Sequence, residues 1–232
     1  MAKRTAAIAA LIAGLFAHPA VAADPASAPR PVVVELFTSQ GCSSCPPADA
    51  VLSDLAKRPD VLALSFHVDY WDRLGWKDPF SSPTATRRQR AYGDQFRLRA
   101  IYTPQIVVDG KAEMVGSDKR AVTGAIAAAK TAQLPDIHLK RESGGVSVHV
   151  GASGLPDEAR VQLVGYVRGH TTRVTAGENA GRRLPNSNIV VSFDLLGQGP
   201  GDWRLPANAN TGYALLVQAK DGRMLGTAVL AP

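Results

Sequence analysis

Cys42 and Cys45 are the two cysteines of the chain, and only Ser43 and Ser44 stand between them. Thiols at this spacing close into a disulfide and reopen, so the pair suits exchange chemistry. One thiolate attacks a disulfide sulfur, and its neighbour resolves the mixed disulfide that forms. A purely structural staple is the plainer alternative, but closing so short a loop stabilises by only about 1.9 kcal/mol on the chain-entropy expression. Metal binding is the other competitor, with Cys42, Cys45 and His67 as soft ligands for copper or zinc. A structural zinc site takes four protein ligands and no fourth is evident, and a histidine at a strand end is more often packed or hydrogen-bonded. The expectation is therefore a site with no metal and no other cofactor, acting on protein or peptide thiols and disulfides.

The flanking elements must hold this pair. A β-branched run, Val32 to Phe37, precedes it, and a helical stretch beginning at Pro46-Pro47 follows, with Val51, Leu52, Leu55 and Ala56 on one face. A thiol ahead of a helix sees free amides and the positive end of the helix dipole. Cys42 is thus expected to be the nucleophile and the more exposed and acidic thiol, with Cys45 resolving. Pro46 and Pro47 lack amide donors, so either the helix begins near Pro46 or its first turn is distorted. Further along, Val61 to Val68 reads as a buried strand, Ser82-Pro83 opens a helix reaching about Leu98, and Gln105 to Asp109 turns through Asp109-Gly110 into Ala112 to Val115. A helix from about Asp118 to Ala132, capped by Ser117, completes a β-α-β-α-β-β-α order over residues 31–132. That order requires a mixed sheet flanked by helices, an α/β domain. After a linker at 133–136 the pattern changes to period two, as in Val146, Val148 and Val150, in Ile189, Val191, Phe193 and Leu195, and in Tyr213, Leu215 and Val217. Residues 137–232 are therefore expected to form an all-β sandwich.

Residues 1–22 carry Lys3 and Arg4, an apolar stretch from Ala6 to Phe16 and the small-residue site Ala20-Val21-Ala22. This is the pattern of a cleaved signal peptide, and it places the mature chain in the periplasm or outside the cell. No other segment approaches the roughly 18 apolar residues of a membrane helix, so no membrane insertion is expected. The net charge of +6 is spread along the chain, which argues against nucleic acid as a partner.

The strand order, the dithiol before the first helix, and Thr103-Pro104 just before the third strand together resemble the thioredoxin superfamily. The resemblance covers roughly residues 31–132. It implies a thioredoxin-like fold and a cis Thr103–Pro104 bond lying against the dithiol, where the adjoining backbone receives an extended substrate peptide. More closely, Phe37 to Asp49, His67 to Asp72, Gly75 to Phe80 and Gly177 to Arg182 resemble a family of secreted bacterial proteins known only as domain-of-unknown-function family 1223. That resemblance implies the fold and export and supplies no substrate. The expected function is an exported thiol–disulfide oxidoreductase. The alternatives are a non-catalytic envelope interaction protein on the same scaffold, and a copper- or zinc-handling protein.

Several segments admit two readings. Tyr70 to Phe80, with Tyr70, Trp71, Trp76 and Phe80, either walls a substrate groove through Trp71 and Trp76 or forms a small core between the two halves. Asp69 and Asp72 either assist proton transfer to Cys45 or are solvated, the second being the commoner case. Gly177 to Ile189 reads as a surface loop, the alternative being that it reaches the dithiol. Arg87, Arg88 and Arg90 read as the wet face of a helix.

Overall fold

The structure is a computed structural model, which describes residues 29–129, 131–134 and 136–232. The leader expected over residues 1–22 lies outside the described residues. The first half runs β1 (Val32–Thr38), α1 (Pro46–Leu55), β2 (Val61–His67), α2 (Pro83–Gln95), β3 (Gln105–Val108), β4 (Ala112–Val115) and α3 (Lys119–Ala128). β1 lies parallel to β2 and antiparallel to β3, and β3 forms a hairpin with β4, so the sheet is mixed as the element order requires. Ser82 caps α2 by accepting from the Thr84 amide, ahead of Pro83 at the first turn. Asp118, one residue later than expected, caps α3 by accepting from the Ala121 amide. α2 ends at Gln95 rather than near Leu98, because Arg97 takes a left-handed backbone conformation.

The second half contributes β5 (Ile137–Glu142), β6 (Gly145–Val150), β7 (Arg160–Arg173), β8 (Arg183–Gln198), β9 (Gly201–Pro206), β10 (Gly212–Gln218) and β11 (Met224–Leu230). The two halves share one eight-stranded sheet, ordered β11-β10-β7-β8-β2-β1-β3-β4, while β5, β6 and β9 make a separate three-stranded antiparallel sheet. Residues 137–232, expected to form a sandwich, instead supply the separate three-stranded sheet and the outer strands of the sheet that begins with β1. The physical reason lies at the edge of β2. Every residue of that strand is buried, and an unpaired buried edge is costly. β8 covers it through the Ser65–Ile189 bridge, and the Asn188 side chain donates to the Ala63 carbonyl (2.9 Å).

Alternation decides which face each strand residue serves. Val32, Val34 and Leu36 of β1 pack with Leu52 and Leu55 of α1 and Val122 and Ile126 of α3. Val33 and Phe37 face the other way, onto Ala85 and Tyr92 of α2. In β10, Ala214 and Leu216 join the α2 side, while Tyr213, Leu215 and Val217 meet Ile137, Leu139, Val146 and Val148 of the small sheet. Each such fully buried aliphatic side chain contributes about 1.5–3 kcal/mol. One face of the large sheet therefore carries α1, α3 and the small sheet, and the other carries α2.

The wet-face reading of α2 is corrected at Arg88, which is buried. Glu35 stands in the middle of β1, pointing toward α2, and a carboxylate there must be paired. Arg88 supplies a two-pronged bond to Glu35, and the Tyr92 hydroxyl donates to the same carboxylate (2.7 Å). Among the described residues no helix is long and apolar enough to cross a membrane.

Candidate functional site

The chain leaves β1 at Thr38 and enters α1 at Pro46, and the seven residues between hold the cysteines. Cys42 and Cys45 are joined as a disulfide with Cα atoms 5.4 Å apart. The Cys45 amide donates to the Cys42 carbonyl (3.2 Å), and Cys45 itself is the N-cap of α1. Of the two openings left by the proline pair, the structure takes the first: the helix begins at Pro46. Its first turn then offers no amide to a thiolate. Pro46 and Pro47 have none, and the Ala48 and Asp49 amides donate to the Cys45 carbonyl (2.9 and 3.1 Å). The expectation that free helix amides would acidify Cys42 is corrected accordingly.

Side-chain hydroxyls stand in their place. Thr103 Oγ1 donates to Cys42 Sγ (3.4 Å), and Ser44 Oγ lies 3.4 Å from the same sulfur. The Thr103 hydroxyl is held in that direction because it accepts from the Trp71 indole N–H (2.8 Å). Thr103 precedes Pro104 through a cis peptide bond, and the Pro104 carbonyl is fixed by the Gly116 amide (2.9 Å). Gln89 of α2 braces the same loop, donating to the Tyr102 carbonyl (2.7 Å) and accepting from the Tyr70 hydroxyl (3.2 Å).

Both cysteines are fully buried, so the expectation that Cys42 is the more exposed is also corrected. Two segments cover them. Trp71 packs on the loop at Gly41, where a Cβ would stand 3.2 Å from Trp71 Cβ. From the other half of the chain, the loop between β7 and β8 lies on the same residues. The Asn179 amide donates to the carbonyls of Gln40 (3.0 Å) and Cys42 (2.9 Å), and the Glu178 carboxylate accepts from the Ser43 amide (3.1 Å). Of the segment 177–189, expected as a surface loop, residues 183–189 belong to β8, and Glu178 and Asn179 of the remainder meet the dithiol loop. Trp76 sits one step further out, donating to Gln40 Oε1 (3.3 Å) and packing on Gly177. Trp71 therefore lies on the dithiol loop, and Trp76 joins the two halves.

Beneath the loop lies a buried polar cluster that the sequence did not announce. Asp49, on the cysteine-bearing helix, shares it with Thr38, His67, Asp78 and Asn186. His67 Nδ1 is 2.7 Å from Asp78 Oδ2, which also accepts from the Gln40 amide (2.8 Å). Burial pushes the Asp78 carboxyl up, but His67 and the amides of Gln40 and Phe80 outweigh it and hold that group below its ordinary range. Asp49 goes the other way. Burial exceeds the attraction of His67 and the favourable influence of the nearby Thr38 and Asn186 side chains, raising its pKa to about 6. Asp49 Oδ1 and His67 Nε2 are buried with no hydrogen-bond partner. Asp69 and Asp72, the sequence candidates for proton transfer, hold their own segment instead. Asp69 accepts from the Thr86 hydroxyl (2.5 Å), and Asp72 from the Asp78 amide (3.2 Å) and the Ser81 hydroxyl (2.7 Å). The signal for Asp49 was the Cys45-to-Asp49 spacing of one helical turn.

Among the described residues no group of three or more His, Cys, Asp or Glu is placed to hold a metal ion.

Among solved structures, the chain is similar to a crystal structure of an Agrobacterium tumefaciens protein, with 29% identity and a TM-score of 0.71 over 89% of this chain and 96% of that one. It is also similar in fold to HBP35 of Porphyromonas gingivalis, with 13% identity and a TM-score of 0.60 over 88% and 75% of the two chains. No curated protein matches. Residues 33–221 match the family described as Protein of unknown function (DUF1223), and the chain belongs to that family.

Proposed function

We propose that the protein is an exported, thioredoxin-like thiol–disulfide oxidoreductase of the periplasm or exterior, working through Cys42 and Cys45 on protein or peptide thiols and disulfides. One observation carries the reading: the Thr103 hydroxyl, aimed by Trp71 and followed by cis-Pro104, donates to the sulfur of Cys42. A hydroxyl donor stabilises charge on that sulfur, which makes Cys42 the attacking thiolate. In the reducing direction the Cys42 thiolate attacks a substrate disulfide. A Cys42–substrate bond forms, and the first substrate thiolate leaves and takes a proton from water. The Cys45 thiol then passes its proton to the Asp49 carboxylate and attacks Cys42 Sγ. The second substrate thiolate leaves, two electrons have moved to the substrate, and the chain is left as the Cys42–Cys45 disulfide. The oxidising direction is the reverse.

The burial of both sulfurs supports a second reading, in which the disulfide is locked and the fold serves as a scaffold for an envelope interaction. A redox titration of residues 23–232 against reduced and oxidised glutathione separates the two. A reversible two-electron transition is expected from the first reading; a disulfide that persists through reducing poises overturns it. Within the first reading, Thr103→Val removes the donor to Cys42. The reduced variant should then form its Cys42 thiolate at higher pH than wild type, measured by the pH profile of alkylation. An unchanged profile would reassign the stabilisation of Cys42 to other groups.

A further inference from the structure

β7 and β8 are 14 and 16 residues long, about twice the length of their neighbours in the sheet. The extra length carries the loop that joins them from the small-sheet end to the dithiol. This loop, residues 174–182, is closed at its base by paired bonds between Val174 and the backbone of Gly181 and Arg182 (both 2.9 Å). It docks on the aromatic segment where Gly75 and Gly177 meet: both have positive φ, and a Cβ at Gly75 would lie 3.5 Å from the Gly177 backbone. From its base the Arg182 guanidinium donates to Asn179 Oδ1 (2.7 Å), which turns the amide so that its N–H groups face the Gln40 and Cys42 carbonyls. Asn179 is fully buried, whereas its neighbour Glu178 is exposed apart from its bond to Ser43. The loop therefore grips the peptide units on either side of the nucleophile and sets a carboxylate next to it.

We propose that this loop is the tuning element of the dithiol: Asn179 positions the backbone around Cys42, and the Glu178 carboxylate opposes negative charge on Cys42, biasing the couple toward the reducing side. The inference rests on the exchange function proposed above. Reduction of the Cys42–Cys45 bond takes two electrons and two protons, and at neutral pH the reduced form gains stability when Cys42 ionises. A carboxylate bonded to the adjoining amide works against that ionisation. Ser43 holds the Glu178 carboxyl below its ordinary range, so it is charged at neutral pH. The other charged groups around the pair are Arg182 on the same loop, tied to Asn179, Asp49 on α1, and the His67–Asp78 pair beneath. Glu178 is the one of these that bonds the Cys42-Ser43-Ser44-Cys45 loop itself from solvent.

The test uses Glu178→Gln, which keeps an acceptor for the Ser43 amide and removes the charge, alongside Glu178→Ala, which removes both. Glu142→Gln in the small sheet serves as a control for net charge. After reduction with a phosphine, Cys42 in Glu178→Gln should ionise at lower pH than in wild type, read by the pH profile of alkylation. The glutathione equilibrium should move about two- to fivefold toward the reduced form, and the difference should shrink at high ionic strength because the charge is exposed. If wild type titrates reversibly with glutathione and Glu178→Gln matches it in both readouts, the inference is overturned while the exchange function stands. A shift seen only in Glu178→Ala also overturns it, since the bond and not the charge would then matter. If wild type does not exchange with glutathione at all, the exchange function falls and this inference falls with it.

Discussion

Cys45→Ser, once reduced and offered a peptide disulfide, should accumulate as a mixed disulfide on Cys42, and Cys42→Ser should lose turnover by on the order of a thousandfold or more. The asymmetry follows from the site. The hydroxyls of Thr103 and Ser44 both lie at the Cys42 sulfur, so the thiolate forms there. Cys45 caps α1 at the head of a turn whose amides are missing or already bonded, so it has no comparable support for charge and acts second. Neither variant should unfold the chain, because losing so short a loop costs only about 1.9 kcal/mol. Mass spectrometry of the trapped species identifies the cysteine that carries the substrate. An adduct found on Cys45 in Cys42→Ser, with none on Cys42 in Cys45→Ser, would reverse the roles.

The strand–dithiol–helix unit was legible because its signals are local. A β-branched run, a pair of prolines at a helix start and Ser82-Pro83 at another each act within a few residues. Thr103-Pro104 was legible through resemblance, and it stands where that resemblance put it, against Cys42. What failed to show in the sequence depends on contacts across the chain. Arg88 lies among arginines on a polar helix and looks solvated, yet it meets Glu35, 53 residues away. A carboxylate inside an otherwise apolar strand was the readable hint, since such a group demands a buried cation. The period-two pattern from Ile189 to Leu195 reads as strand, and it is part of β8, but residues 183–188, read as loop, belong to that strand too. Pattern alone does not reveal that β7 and β8 overrun their own layer and complete the edge of β2. The reach of Glu178 and Asn179 to the dithiol follows from that overrun, which is why a polar loop read as ordinary surface became part of the site. The burial of Cys42 has the same origin, because its cover comes partly from residues more than a hundred positions away.

Asp49→Asn should stabilise the protein at pH 8 and slow its chemistry at the same time. In the folded chain burial raises the Asp49 pKa from 3.8 to about 6, so the folded state holds this proton more tightly than the unfolded state. The stability contributed by that proton is complete below about pH 4 and is lost as pH rises through 6. Above pH 6 wild type keeps a buried carboxylate in the fold, at a cost of up to about 3 kcal/mol. Asparagine has no charge to bury, so the variant should match wild type near pH 4 and exceed it by pH 8, as measured by urea denaturation at each pH. The same carboxylate is the base assigned to Cys45. Asp49 lies one turn further along α1, on the side of the helix that Cys45 caps, where i,i+4 side chains are neighbours. Without it the resolving step should slow by about tenfold or more, and mixed disulfide should build up with substrate. Cys42 alkylation should stay near wild type, because the Thr103 and Trp71 bonds are untouched. A gain in stability at pH 8 with no change in resolving rate would make Asp49 a strained structural residue, and the proton from Cys45 would then leave by another route.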